Sequence, residues 1–214
     1  MAQKMANLSR AIKGVYALTP DCLDTEDLLL RVRQVLKGGV QILQYRNKIA
    51  NPSLRMAQAQ ALRTLTRVFE AALIINDDAQ LAAAVDADGV HLGKTDGDIT
   101  SARTVLGVNK LIGVSCYNQL QLAHDAETAG ADYVAFGAFY PSTVKPNAVV
   151  AGIDLLRSAR SQLSIPIVAI GGINMANGAV LVQAGADALA VISAVFDAAD
   201  IQLATKNLSQ LFRK

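Results

Sequence analysis

The sequence predicts an α/β fold, a (β/α)8 TIM barrel in a single domain, on three observations. Eight short runs rich in β-branched residues alternate with longer amphipathic segments along 214 residues, and that alternation implies a parallel sheet with right-handed crossovers. Eight such units close most naturally into a barrel. Related peptides lead into several runs: Gly-Gly-Val at 38–40, Ala-Asp-Gly-Val at 87–90, Gly-Ala-Asp-Tyr-Val at 130–134 and Gly-Ala-Asp-Ala-Leu at 185–189. An open doubly wound sheet is the competitor, but no Gly-x-Gly-x-x-Gly follows the first strand.

The elements follow in order. The first predicted strand, 15–18, is ended by Thr19-Pro20-Asp21. A helix is predicted over 26–37, with Leu28, Leu29, Val32, Val35 and Leu36 at helical spacing and Gly38-Gly39 to stop it. Strand two is 40–45. Pro52 sits where a helix can begin, and 54–70 keeps the helical pattern. Strand three, 73–75, precedes a short helix at 79–85, and strand four, 90–92, precedes a helix at 99–106. Strand five is 111–114, with its helix over 120–129 ended by Gly130. Strand six is 133–136, followed by a long loop over 138–150 and a helix at 153–163. Strand seven is 167–170, with a helix over 176–184 ended by Gly185, and strand eight is 189–192. The last helix, 201–212, can pack on its own barrel or serve the interface of a homo-oligomer. Residues 1–10 read as a flexible tail and 11–214 as the barrel domain.

Composition narrows the function classes. With 52% hydrophobic and 18% charged residues the chain can bury a large core. A net charge of +2 with no block of like charges gives no reason to expect nucleic acid or a membrane surface as partner. The first residues hold no apolar core of signal-peptide length, and no apolar run approaches a membrane span. Cys22 and Cys116 have neither metal-ligand nor redox spacing and read as idle thiols of a reducing, cytoplasmic compartment.

In a barrel the reacting groups stand at the carboxyl ends of the strands. Polar residues there are Thr19; Gln44, Arg46 and Lys48; Asn76 and Asp77; His91, Lys94 and Asp96; Ser115; Ser142, Thr143 and Lys145; Gly171 and Gly172; and Ser193. Cations, carboxylates and small donors on one rim suit a phosphorylated substrate with a metal. Asp77 and Asp96 follow strands three and four, so two carboxylates emerge at the same end of the sheet and can share a divalent cation. Helix capping by Asn76 or Asp77 and an ordinary turn at Asp96 are the alternatives. Arg46 and Lys48 alternate along a continuing strand and point the same way, and an Arg fork grips phosphate oxygens. A solvated strand end is the alternative there. His91, inside an apolar run, reads as a packed histidine. Two glycines after strand seven and Ser193 after strand eight match the place where such barrels offer backbone N–H groups to phosphate, or else form tight turns.

Taken together, Gln44-x-Arg46-x-Lys48, Ile75-Asn-Asp-Asp78, Asp88-Gly-Val-His-Leu-Gly93 with Asp96, Gly113-Val-Ser115, Asp132-Tyr-Val, Pro141-Ser-x-x-Lys145 and Ile170-Gly-Gly-Ile173 resemble the thiamine-phosphate synthase (pyrophosphorylase) family over about 15–193. The resemblance implies a (β/α)8 barrel that joins a pyrimidine diphosphate to a thiazole phosphate. It implies Asp77 and Asp96 as Mg2+ ligands, and Arg46, Lys48, Asn76, Ser115 and Lys145 on the pyrophosphate. Gln44 falls to the pyrimidine, and Ser142, Gly172, Ile192 and Ser193 to the thiazole phosphate. Three positions depart from the pattern: Val144 for a threonine, with Thr143 beside it as the substitute hydroxyl, Lys94 for a glutamine, and Tyr117 for a histidine. Thiazole tautomerases on the same barrel and a non-catalytic thiamine-pathway binding protein are the competing readings. The first needs a proton shuttle that Tyr117 does not obviously supply.

Overall fold

The computed structural model describes residues 12–141 and 149–213. The predicted tail lies outside them, as do Ser142, Thr143, Val144 and Lys145. Eight parallel strands form a closed barrel in chain order, with β8 hydrogen-bonded to β1. They are β1 (Gly14–Leu18), β2 (Ile42–Tyr45), β3 (Ala72–Asn76), β4 (Gly89–Leu92), β5 (Leu111–Tyr117), β6 (Tyr133–Phe136), β7 (Ile167–Ile170) and β8 (Ala188–Val191). The helices are α1 (Thr25–Lys37), α2 (Pro52–Val68), α3 (Ala79–Ala84), α4 (Ile99–Leu106), α5 (Leu120–Thr128), α6 (Ile153–Gln162), α7 (Gly178–Gln183), α8 (Ser193–Phe196) and α9 (Ile201–Gln210).

Alternation along each strand sorts side chains into two cores. On β1, Val15 and Ala17 face the helices, whereas Tyr16 and Leu18 face the barrel interior with Ile42, Ile74, Tyr133 and Val168. The last helix packs on its own barrel, against α1, β1 and α8. Gly38 permits that approach, since a Cβ there would lie 2.5 Å from Thr205 Cβ.

Some boundaries differ from expectation. Strand two begins at Ile42, because Gly39 has φ +94° and only past it does the chain become extended. β5 runs on to Tyr117 through a register irregularity between Ser115 and Tyr117. α8 was not expected; it is a single turn directly after β8, too short to show helical periodicity.

The repeated Ala-Asp peptide has a structural counterpart at the amino ends of the strands. The N–H groups of Asp88, Asp132 and Asp187 donate to the carbonyls of Leu73, Ile112 and Ile167, each at 2.8 Å. The three carboxylates accept the N–H groups of those same residues, again at 2.8 Å. Each also receives an arginine from the helix before the odd-numbered strand: Arg63 at 2.6 Å, Arg103 at 2.7 Å and Arg160 at 2.8 Å. These three clamps join β3 to β4, β5 to β6 and β7 to β8. Gly38-Gly39-Val40 lacks the aspartate, so β2 carries no such clamp.

Candidate active site

The rim is built first at the ends of β1 and β2. Thr19 Oγ1 donates to the Arg46 carbonyl at 2.8 Å and accepts the Arg46 N–H at 2.9 Å. Asp21 accepts the Lys48 N–H at 2.7 Å and the Arg46 guanidinium at 3.3 Å. These bonds hold the backbone past β2 against the segment that follows β1, and Arg46 and Lys48 both line a small cavity of about 40 Å³ with Asn76 and Asp77.

Asp77 occupies the left-handed region, φ 65°, where Asp and Asn are the most tolerated non-glycine residues. Its N–H donates to the His91 carbonyl at 2.8 Å, and Lys48 Nζ pairs with its carboxylate. It caps nothing: Asp78 Oδ1 accepts the Leu81 N–H at 2.8 Å and caps α3. Asp96 is likewise not the cap of α4, since Asp98 accepts the Ser101 N–H at 2.8 Å. Asp96 does take part in a turn, its Oδ2 accepting the Gly93 N–H at 3.0 Å. The two carboxylates meet over Gly93, where a Cβ would lie 2.5 Å from Asp96 Oδ2 and 3.9 Å from Asp77 Oδ1. Desolvation, then hydrogen bonding to Asp77 and its charge, push the Asp96 carboxyl above the usual carboxylate range.

Asp77 and Asp96, converging over a residue without a side chain, are the pair that could hold a hard cation. Among the described residues no cluster of three or more His, Cys, Asp or Glu side chains could hold a metal. A site of two carboxylates suits a cation that keeps waters and takes further oxygens from a phosphorylated substrate, which is the habit of Mg2+.

Next to this pair lies a cavity of about 330 Å³. Gln44, Arg46, Asn76 and Ser115 line it together with Gly172, Ile192 and Ser193 from the ends of β7 and β8. Gly171 and Gly172 have φ of +103° and +61°, and a Cβ on Gly172 would lie 2.3 Å from the Pro141 carbonyl oxygen. Leu18, Ala135, Val168 and Ile170 give apolar wall. The structure thus brings together every predicted site residue that it describes; Asp77 joins through the small cavity and Asp96 through its contact with Asp77. Two of the departures from the family pattern touch each other, because the Lys94 N–H donates to the Tyr117 hydroxyl at 3.3 Å. The Lys94 side chain is exposed.

Sequence reasoning missed Asp21, which sets Arg46 and Lys48, and the paired rings of Tyr16 and Tyr133. His91 is packed as expected, yet it also lines the cavity. Its Nε2 lies 2.9 Å from Ser115 Oγ and its Nδ1 3.1 Å from the Tyr133 hydroxyl. Asp21 stands three residues beyond the end of the first strand and was readable as a rim residue; the pairing of Tyr16 with Tyr133 leaves no local signal.

Fold and site together define a (β/α)8-barrel enzyme with a cationic and acidic rim around a cavity of about 330 Å³. Residues 15–195 match the family model described as thiamine monophosphate synthase. A thiamine-phosphate synthase of Methylobacillus flagellatus is 55% identical over 201 residues, 94% of this chain and 96% of that protein. One from Thiobacillus denitrificans is 53% identical over 199 residues, 93% and 94% of the two chains. The solved thiamine phosphate pyrophosphorylase of Pyrococcus furiosus superposes with a TM-score of 0.87 at 38% identity, covering 96% of this chain and 98% of its own. The chain belongs to the thiamine-phosphate synthase family, and its activity is that of a transferase in thiamine biosynthesis. A 3-hexulose-6-phosphate synthase, 19% identical with a TM-score of 0.70, shares the fold. Among the described residues no helix is long and apolar enough to cross a membrane.

Proposed function

We propose that the cavity joins 4-amino-2-methyl-5-hydroxymethylpyrimidine diphosphate to a thiazole phosphate, forming thiamine phosphate and pyrophosphate, with loss of CO2 when the thiazole is carboxylated. The observation that carries this reading is the Asp77–Asp96 cradle beside Lys48 and Arg46, opening on a cavity walled by Gln44 and Ser115. Arg46 and Lys48 grip diphosphate oxygens, Asn76 and Ser115 donate hydrogen bonds to them, and Lys145 adds a third cation. As the carbon–oxygen bond breaks, charge grows on the departing diphosphate, and donors already in place stabilise it without reorganising. Mg2+, when held by Asp77 and Asp96, supplies further positive charge to the same oxygens. Gln44 orients the pyrimidine. Ser142, Thr143, Gly172, Ile192 and Ser193 hold the thiazole phosphate so that its ring nitrogen captures the pyrimidine carbocation. No protein nucleophile takes part, and the apolar wall of Leu18, Ala135, Val168 and Ile170 keeps water from the cation.

The test is pyrophosphate release by purified protein with both substrates, using each thiazole form, with and without Mg2+. Release that disappears on chelation is expected. No release above a no-enzyme control refutes the reading. Interconversion of thiazole phosphate tautomers without a pyrimidine substrate would instead support the isomerase, and ligand binding without turnover under any metal condition the binding protein.

A further inference from the structure

Below the cavity floor five side chains from five strands form one hydrogen-bonded chain. Gln44 Nε2 donates to the Tyr16 hydroxyl at 2.8 Å. The Tyr16 and Tyr133 hydroxyls lie 2.8 Å apart. Tyr133 then meets His91 Nδ1 at 3.1 Å, and His91 Nε2 meets Ser115 Oγ at 2.9 Å. Gln44, Tyr16, His91 and Ser115 line the cavity; Tyr133 does not, and it is fully buried. Room for it is made by Gly113 on the next strand, where a Cβ would lie 2.0 Å from Tyr133 Cζ.

Each phenol has one proton to give, and that makes the chain directional. Tyr16 accepts from Gln44, and the order that leaves every link satisfied sends its own proton to Tyr133. Tyr133 then donates to His91 Nδ1, which puts the imidazole proton on Nε2 and directs it at Ser115 Oγ. Burial pushes both phenols upward from their ordinary pKa, so both keep the protons that this order needs. The end result is set at both ends of the chain. Gln44 has one amide N–H committed below, which fixes the amide plane and turns its carbonyl oxygen towards a ligand; Ser115, accepting from His91 in this order, keeps its O–H to donate. Rotating the Gln44 amide would reverse every link and exchange acceptor for donor at both ends at once.

We propose that Tyr133 is a positioning residue that couples Gln44 to Ser115 through Tyr16 and His91, presenting an acceptor from β2 and a donor from β5 to select the pyrimidine substrate's hydrogen-bonding pattern. The coupling rests on the proposed function only for the identity of that substrate. Tyr133→Phe keeps the ring over Gly113 and removes only the link. With the synthase reaction as readout, KM for the pyrimidine diphosphate is expected to rise about tenfold, the equivalent of one neutral hydrogen bond at about 1.4 kcal/mol per decade. KM for the thiazole phosphate should stay within about twofold. Gly113→Ala, which displaces the same phenol, should give the same split together with a lower Tm. The chain has two histidines, so 15N-histidine labelling reads the His91 tautomer directly. Wild-type His91 should carry its proton on Nε2 with Nδ1 bare, and Tyr133→Phe should lose that single state. A wild-type His91 protonated on Nδ1, or a Tyr133→Phe that leaves both KM values unchanged or raises both equally, overturns the proposal. If the wild type makes no pyrophosphate, the function reading falls and the tautomer of His91 decides the coupling alone.

Discussion

Asp77 and Asp78 are neighbours with opposite assignments, and exchanging each in turn separates chemistry from folding. Asp78→Ala removes the Oδ1 that accepts the Leu81 N–H at 2.8 Å. Loss of such a cap costs about 1 kcal/mol, and for a domain of this size that lowers Tm by about 2–4 °C. Asp77→Asn keeps the φ 65° backbone comfortable, because Asn shares the tolerance of Asp for the left-handed region. It deletes one carboxylate of the cradle and the partner of Lys48, a pair with side chains 55% and 23% exposed, worth under about 1 kcal/mol at such exposure. Turnover should fall on the order of 100-fold, the usual consequence of removing a group aimed at developing charge. Pyrophosphate release and thermal melts on the same preparations make the comparison. Asp78→Ala should keep turnover within a few-fold while melting earlier; Asp77→Asn should melt near the wild type while turnover collapses. An Asp77→Asn that melts like Asp78→Ala and still turns over would refute the cradle.

Three further outcomes are expected. Gly93→Ala places a methyl 2.5 Å from Asp96 Oδ2, so isothermal titration should show weakened Mg2+ binding, and turnover should recover as Mg2+ is raised. Asp88→Ala strands Arg63, whose side chain is only 12% exposed, and should cost about 3 kcal/mol, or about 6–12 °C of Tm by calorimetry. The control Asp154→Ala, in a pair 93% exposed on the Asp side, should stay within about 2 °C. Burial pushes the Cys116 thiol up to about 12, so at pH 8 it stays protonated. Maleimide should then label Cys22 in the native protein and Cys116 only after denaturation.

The barrel was legible because its elements are local. The short apolar run Val15–Leu18 and the helical spacing from Leu28 to Leu36 are visible in windows of a few residues, and each Asp-bearing repeat announces a strand. The rim was legible for the same reason, as Gln44, Asp77 and Ser115 all stand at strand ends. What stayed hidden depends on which residues meet. The sequence offers Asn76 or Asp77 as caps, and the residue that takes the role is their neighbour Asp78. Tyr16 and Tyr133 are 117 residues apart, and each reads alone as one more inward-facing strand residue. Lys94 and Tyr117 read as two separate departures, and that the Tyr117 hydroxyl accepts the Lys94 backbone N–H could not be read from either residue alone.

The Asp–Arg clamps have a kinetic consequence. Their partners are 25, 29 and 27 residues apart in the chain, so each lock is complete within a short stretch of polypeptide. Closing such short loops carries a small entropic penalty. Each of the three clamped helix–strand–helix–strand units can therefore latch as soon as it is synthesised, whereas the β1–β2 unit has no such clamp. The seam between β1 and β8 has no such local latch and must wait until nearly the whole chain exists, which makes barrel closure the late step and the clamped units the pieces from which it is assembled.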